Sequence, residues 1–198
     1  MYIEYSDEEI KMEKVLTPLD SFVIKFIDIL DSLGIRYALI SGYVSILFGR
    51  SRSSEDVDII IDRLNKEKFS ELWKKLDEDF ECIITKDADG AYSVYMSKGY
   101  AIRFSEKERF IPNIEMKFPK LELELWVLEN AKNVSLNGHR MLISPLELQI
   151  PFKLYLGSEK DIEDARHLYR LFKDKLDQIM LQDFTRKLKV NEQFNKYL

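Results

Sequence analysis

The apolar residues of this 198-residue chain change period partway along and then change back. Between residues 17 and 76 they recur mainly at helical spacing, interrupted by two short runs that read as strands. Across the middle of the chain they recur at every second position, the period of a half-buried strand. After residue 144 the helical period returns and holds to the end. This order predicts a mixed α/β part, residues 1–143, followed by an all-helical region, residues 144–198.

Local punctuation sharpens the reading. Thr17-Pro18-Leu19-Asp20 combines an N-cap, a proline at the first helical position and an acid three residues after the cap. Phe22, Val23, Phe26, Ile27 and Leu30 follow at helical spacing, and Gly34 ends the run. Arg36–Ile40 predicts a short buried strand, Val44–Phe48 a brief helix closed by Gly49, and Val57–Ile61 a second strand. Asn65 caps a helix whose apolar face is Phe69, Leu72, Trp73 and Leu76. Asp89-Gly90, between Phe80–Thr85 and Tyr92–Met96, predicts a hairpin. Tyr100–Phe104, Asn113–Phe118 and Leu121–Leu128 read as further strands, and Asn137-Gly138 predicts a hairpin between Val134–Leu136 and His139–Ile143. Ser144-Pro145-Leu146-Glu147 repeats the capping grammar and opens a helix to about Leu156, which Pro151 should kink or divide. Ser158 opens the next, with Ile162, Ala165, Leu168, Tyr169 and Phe172 on one face.

Composition removes several classes of function. An apolar fraction of 45% excludes intrinsic disorder, and no apolar stretch approaches the roughly 20 residues of a membrane span. The acidic N-terminal segment has no apolar core of a secretory signal, so the expected location is cytoplasmic. Cys82 is the only cysteine, which excludes an intrachain disulfide and a thiolate zinc site. With only His139 and His167 besides, any metal here is expected to be a hard cation held by carboxylates. A net charge of −5 does not mark a dedicated nucleic-acid binder.

Chemistry concentrates in Ile40–Ile61. Ser41 and Gly42 leave a strand just ahead of a helix, where backbone N–H groups attract phosphate and glycine permits close approach. Asp56 and Asp58 stand at i and i+2 of the next strand. Their carboxylates therefore share one face, roughly 7 Å apart at a rise of about 3.3–3.4 Å per residue. Two acids so fixed can hold divalent cations for in-line phosphoryl transfer; the plainer alternative is a solvated strand edge.

Together these elements resemble the signature of the DNA polymerase β-like nucleotidyltransferase superfamily: a small Gly/Ser turn, a short helix, then D-x-[DE] on the following strand. Gly42 lies 14 residues before Asp56, and the stretch between reads Gly49-Arg50-Ser51-Arg52-Ser53-Ser54-Glu55-Asp56-Val57-Asp58. A glycine closing the short helix, followed by R-x-[ST]-x-D-h-D, is similar to the abortive-infection toxin group and its minimal relatives, a toxin–antitoxin-like setting. That group also places a lysine after the sheet and a K/R-D-x-x-D run on the next helix, positions held here by Lys153 and Lys160-Asp161-Ile162-Glu163-Asp164. Capping by Ser158 and a solvated lysine would explain those residues equally well.

The resemblance implies an α+β fold: a mixed, largely antiparallel nucleotidyltransferase-type sheet flanked by helices, then a C-terminal helical region. It also implies transfer of a nucleoside monophosphate from an NTP to a hydroxyl acceptor, whether RNA, protein or small molecule, with Mg²⁺ or Mn²⁺. Asp56, Asp58 and a third acid would be catalytic and hold the metal. Glu115, interrupting the apolar strand around Ile114 and Met116, is the favoured third acid; Glu122 and Glu124 are its rivals. Ser41, Gly42, Arg52, Ser54 and Lys153 would bind the nucleotide. Tyr43, following an unusual Ser-Gly pair, would crowd a triphosphate or stack on a base. A different class of reading is a catalytically inactive module on the same fold, used for binding or regulation.

Overall fold

The computed structural model describes residues 1–6 and 8–198. Among these, β1 (Tyr2–Tyr5), β2 (Glu9–Glu13), β3 (Tyr37–Ile40), β4 (Asp56–Ile61), β5 (Phe80–Cys82), β6 (Ile102–Glu106), β7 (Asn113–Lys117), β8 (Lys132–Leu136) and β9 (His139–Ile143) form one sheet. Its order is β1-β2-β8-β9-β3-β4-β7-β6-β5. Five of the eight pairings are antiparallel; β2–β8, β3–β9 and β4–β7 are parallel. The helices are α1 (Pro18–Ser32), α2 (Ser41–Leu47), α3 (Lys66–Leu76), α4 (Ala88–Gly90), α5 (Glu122–Glu129), α6 (Leu146–Leu156), α7 (Glu159–Phe172), α8 (Gln178–Lys187) and α9 (Asn191–Tyr197). This is the mixed, mainly antiparallel α+β architecture with a helical C-terminal region. No described helix is long and apolar enough to cross a membrane.

Alternation along β4 organises the two faces. Val57, Ile59 and Ile61 enter the main core with Tyr37 and Leu39 of β3, Phe22 and Phe26 of α1, and Phe69 and Leu72 of α3. Ile60 points the other way, into a smaller cluster with Ala38, Val127, Leu128, Leu148 and Phe184 from β3, α5, α6 and α8. Asp56 and Asp58 share the face of Ile60, because strand side chains alternate. Helix α7 adds Ala165, Leu168 and Phe172 to the main core.

Much of the punctuation behaves as read. Thr17 and Asp20 form a reciprocal capping box at α1, Asn65 caps α3, and Ser158 caps α7. Asn137 and Gly138 both take positive φ in the β8–β9 turn, as a primed hairpin turn requires.

Four expectations are corrected. The Asp89-Gly90 hairpin is absent: α4, a π-helical turn at Ala91–Tyr95 and a 3₁₀ turn at Met96–Lys98 stand there. Tyr92, Tyr95 and Met96, expected in a strand, join Ala91 in a helical stripe turned to the core, and Asp87 caps the run through the Gly90 N–H. Leu121–Leu128 is helix α5, not a strand. Glu124 accepts from the N–H groups of Lys120 and Leu121, while Val127 and Leu128 supply the buried side. Ser144 does not cap α6; its N–H donates to Leu39 and prolongs the sheet. Pro151 does not divide α6, which is buried on most of its surface and runs unbroken through Leu156. The N-terminal strands were not anticipated, although Ile10 and Met12 alternate with charged neighbours.

Tyr43 is also corrected. It is buried, and its hydroxyl donates to Asp20 Oδ1 at 2.9 Å, away from the sheet's acidic face. Asp20 also accepts from Lys14 Nζ, the Thr17 N–H and the Thr17 hydroxyl, joining α1 to α2. Burial pushes the Asp20 carboxyl upward, but the hydrogen bonds from Thr17 and Lys14 outweigh it and hold the group below its ordinary value. A carboxyl depressed in the folded state stabilises at pH above its unfolded value, and that contribution fades as pH falls through the folded value. Asp20→Asn is therefore expected to lower neutral-pH stability and to flatten the acid limb of the stability curve. An unchanged acid limb in pH-dependent urea unfolding would contradict this.

Candidate active site

Strand register assembles the site. Across β3, β4, β7 and β6, one row places Ile40 beside Asp58, Asp58 beside Glu115, and Glu115 beside Arg103. The next row sets Asp56 beside Asn113 and Asn113 beside Ser105. Asp56, Asp58 and Glu115 thus occupy one face of adjoining strands. Glu122 and Glu124 lie on α5, Glu124 paired with Lys117 at 2.7 Å, so neither stands in the acidic row.

Each acid has a partner. The Asp56 Oδ1 accepts from Asn113 Nδ2 at 2.8 Å, and Ser54 donates to the Asp56 carbonyl, fixing the entry to β4. Ser41 stands close enough to Asp58 to favour its ionised form. Glu115 accepts from Arg103 Nε at 3.0 Å and Nη2 at 2.6 Å. Burial, then the neighbouring Glu115 carboxylate, raise the Asp58 carboxyl above its ordinary value despite the opposing influence of Ser41.

Ser41 begins α2 with φ of 60°, so the left-handed residue of the turn is the serine and not the glycine. Its carbonyl accepts from Gln149 Nε2 at 2.7 Å. Gly42 meets a different demand: a Cβ there would collide with the Arg52 guanidinium. Arg52 in turn grips Asp164 by two bonds, Nε to Oδ1 at 3.0 Å and Nη2 to Oδ2 at 2.9 Å. Lys153, only 1% exposed, reaches Asp161 at 2.7 Å and Asp164 at 3.0 Å. Arg52 therefore ties the turn to α7, and Lys153 ties α6 to α7, instead of either lying in the acidic row. The cation in that row is Arg103.

Among the described residues no three His, Cys, Asp or Glu side chains are gathered closely enough to enclose a metal ion. The donor set nevertheless fits Mg²⁺ or Mn²⁺, which binds through one or two carboxylates plus substrate phosphates without a full protein cage. Asp56 and Asp58 would supply those oxygens; burial and, second to it, the Glu115 carboxylate push the Asp58 carboxyl upward. The buried Asn113 Oδ1 has no hydrogen-bond partner and stands beside Asp56.

A cleft of about 930 Å³ lies between the start of α1, residues 52–55 and Ile111–Pro112. Of its cations, Lys25 pairs with Asp79 at 3.0 Å, Arg109 with Glu106 at 3.1 Å and Arg52 with Asp164.

No protein-family model matches the chain, and no curated protein matches it. Solved structures do. An antigenic nucleotidyltransferase-like protein from Paracoccidioides brasiliensis superposes with a TM-score of 0.54 at 18% identity, over 92% of this chain and 93% of that one. The lincosamide antibiotic adenylyltransferase LnuA, with lincomycin bound, gives 0.52 at 14% identity, over 80% and 100%. ANT(2")-Ia in complex with adenylyl-2"-tobramycin gives 0.53 at 14% identity, over 86% and 99%. The fold is that of nucleotidyltransferases. Within this nucleotidyltransferase fold, sequence reasoning brought Asp56, Asp58, Glu115 and Ser41 to one place. It missed Asn113, though that residue is spaced from Glu115 as Asp56 is from Asp58. It also missed Arg103 and Gln149, whose partners depend on strand register and helix packing.

Two expectations follow. Asp164→Ala leaves buried cations uncompensated and should cost about 3–5 kcal/mol in urea unfolding; a loss under about 1 kcal/mol would contradict the buried network. For Asp58 the sign is reversed from Asp20. A carboxyl raised in the fold opposes folding once ionised, a cost that sets in as pH climbs from the ordinary carboxylate value through the raised one. Asp58→Asn should therefore raise the metal-free Tm at neutral pH and leave it unchanged in strong acid; a lower neutral Tm would contradict this.

Proposed function

We propose that the chain is a nucleotidyltransferase that moves a nucleoside monophosphate from an NTP to a hydroxyl acceptor. The observation that carries this reading is the register placing Asp56 and Asp58 on one face of β4 with Glu115 beside Asp58. Solved structures of the same fold, among them an antibiotic adenylyltransferase, support it. Asp56 and Asp58 would hold Mg²⁺ or Mn²⁺, with Glu115 completing the carboxylate row. A cation there supplies charge neutralisation on the triphosphate and polarises the reacting phosphorus.

The chain's own residues do the rest. The Ser41–Gly42 turn offers the phosphates backbone donors at a strand end, with Arg52 resting against Gly42 behind it. Ser54 keeps β4 in position through the Asp56 carbonyl. The acceptor oxygen attacks the α-phosphorus while its proton passes to Glu115. The α–β bridging bond breaks, and pyrophosphate leaves with the bonding pair. Positioning and charge stabilisation carry such a reaction. Arg103 anchors Glu115 so that its carboxylate stays in the row. The motif from Gly49 to Asp58 favours the toxin-type subgroup within this reading.

The pairing of Glu115 with Arg103 is also the observation that favours a catalytically inactive binding module. Calorimetric titration of each NTP with Mg²⁺ or Mn²⁺ separates the two. Metal-dependent binding is expected for the wild type and a loss of at least about tenfold for Asp58→Ala, with unchanged circular dichroism. A folded wild type that binds no NTP, or an Asp58→Ala protein that binds equally well, would overturn the transferase reading.

A further inference from the structure

A second cavity, about 110 Å³, opens beside the acidic row on the same sheet face. Its floor is Ile40 and Ile60, and its walls are Leu123, Val127, Leu148 and Phe152 from α5 and α6. Ile40 is paired with Asp58 across the strands, and Ile60 is two residues further along β4. Ser41 also lines the cavity and directly follows Ile40, the strand partner of Asp58. The cavity is therefore an apolar extension of the carboxylate site.

Its polar lining is almost entirely committed. Lys117 and Glu124 neutralise each other at 2.7 Å, and the Gln149 amide is bonded to the Ser41 backbone. Ser144 retains one loosely held hydroxyl, 3.5 Å from the Pro145 carbonyl. A polycation would find no uncompensated acid here, and a nucleobase edge would find too few donors and acceptors. An apolar group loses nothing. A cavity of about 150 Å³ accommodates benzene, so this slightly smaller one suits a branched alkyl group or the inner part of a single ring.

We propose that this cavity takes the apolar body of the acceptor, a small uncharged alcohol or phenol whose hydroxyl then reaches the acidic row of Asp58 and Glu115. This rests on the transferase reading and narrows its substrate class. The transferred group would end on the oxygen nearest Asp58, with pyrophosphate released.

Benzyl alcohol, tobramycin and adenosine serve as probes, followed by saturation-transfer NMR and calorimetry on the full chain, with MgATP titrated in parallel. Benzyl alcohol is expected to bind, tobramycin not to bind, and adenosine not to displace the alcohol. Leu123→Phe, which fills the cavity from α5, should weaken benzyl alcohol about tenfold while leaving MgATP affinity unchanged. Leu148→Met, which conserves volume, should retain alcohol binding and guards against misfolding of the first variant. MgATP binding without alcohol binding overturns the acceptor class and spares the transferase reading. Alcohol binding without MgATP binding overturns both, and displacement by adenosine reassigns the cavity to the base.

Discussion

The register of β4 is the constraint on which the site depends. Val57, Ile59 and Ile61 are drawn into the main core, and that burial alone dictates which way Asp56 and Asp58 face. A slip of one residue would turn both acids into the main core and three branched apolar side chains out of it, so the hydrophobic pattern enforces the geometry of the acidic row. The parallel partner β7 repeats the arrangement, with Ile114 and Met116 inward and Asn113 and Glu115 on the acidic face. Stability and chemistry thus come from alternate residues of the same two strands.

A second constraint holds the turn ahead of that strand. Asp161 and Asp164 face Lys153, Arg52 and Arg50 in a network closed to solvent at its centre, where Asp164 is wholly buried. Such networks contribute little net stability against an apolar alternative, yet removing one member is costly. What the network does here is geometric. It stitches α6 and α7 to the segment between α2 and β4, and it rests Arg52 against Gly42, so the helical region and the Ser41–Gly42 turn are joined. Ser41 accepts a left-handed backbone at the same point, a conformation that the surrounding bonds from Gln149 sustain.

Legibility in the sequence followed how local each determinant is. The capping box at Thr17, the cap at Asn65 and the Asn137-Gly138 turn are determined by neighbours within a few residues, and all formed as read. Asp56, Asp58 and Ser41 were legible because spacing along one strand, or at its end, fixes their direction. The errors arose where short apolar runs fit both periods. Tyr92–Met96 and Leu121–Leu128 satisfied a strand pattern, but core contacts at helical spacing decided otherwise. Arg103, Gln149 and the double grip of Asp164 lay beyond sequence reasoning, since each partner is set by long-range pairing or by packing of the helical region.

The central claim is that Asp56 and Asp58 form the metal-nucleotide site. Paramagnetic broadening of backbone amide signals by Mn²⁺ with ATP tests it without any knowledge of the acceptor. The account predicts selective loss of the Ser41, Asp56, Asp58 and Glu115 resonances, with Asp161 and the rest of α7 less affected. Broadening centred on α7, or none beyond that of free Mn²⁺, would contradict it.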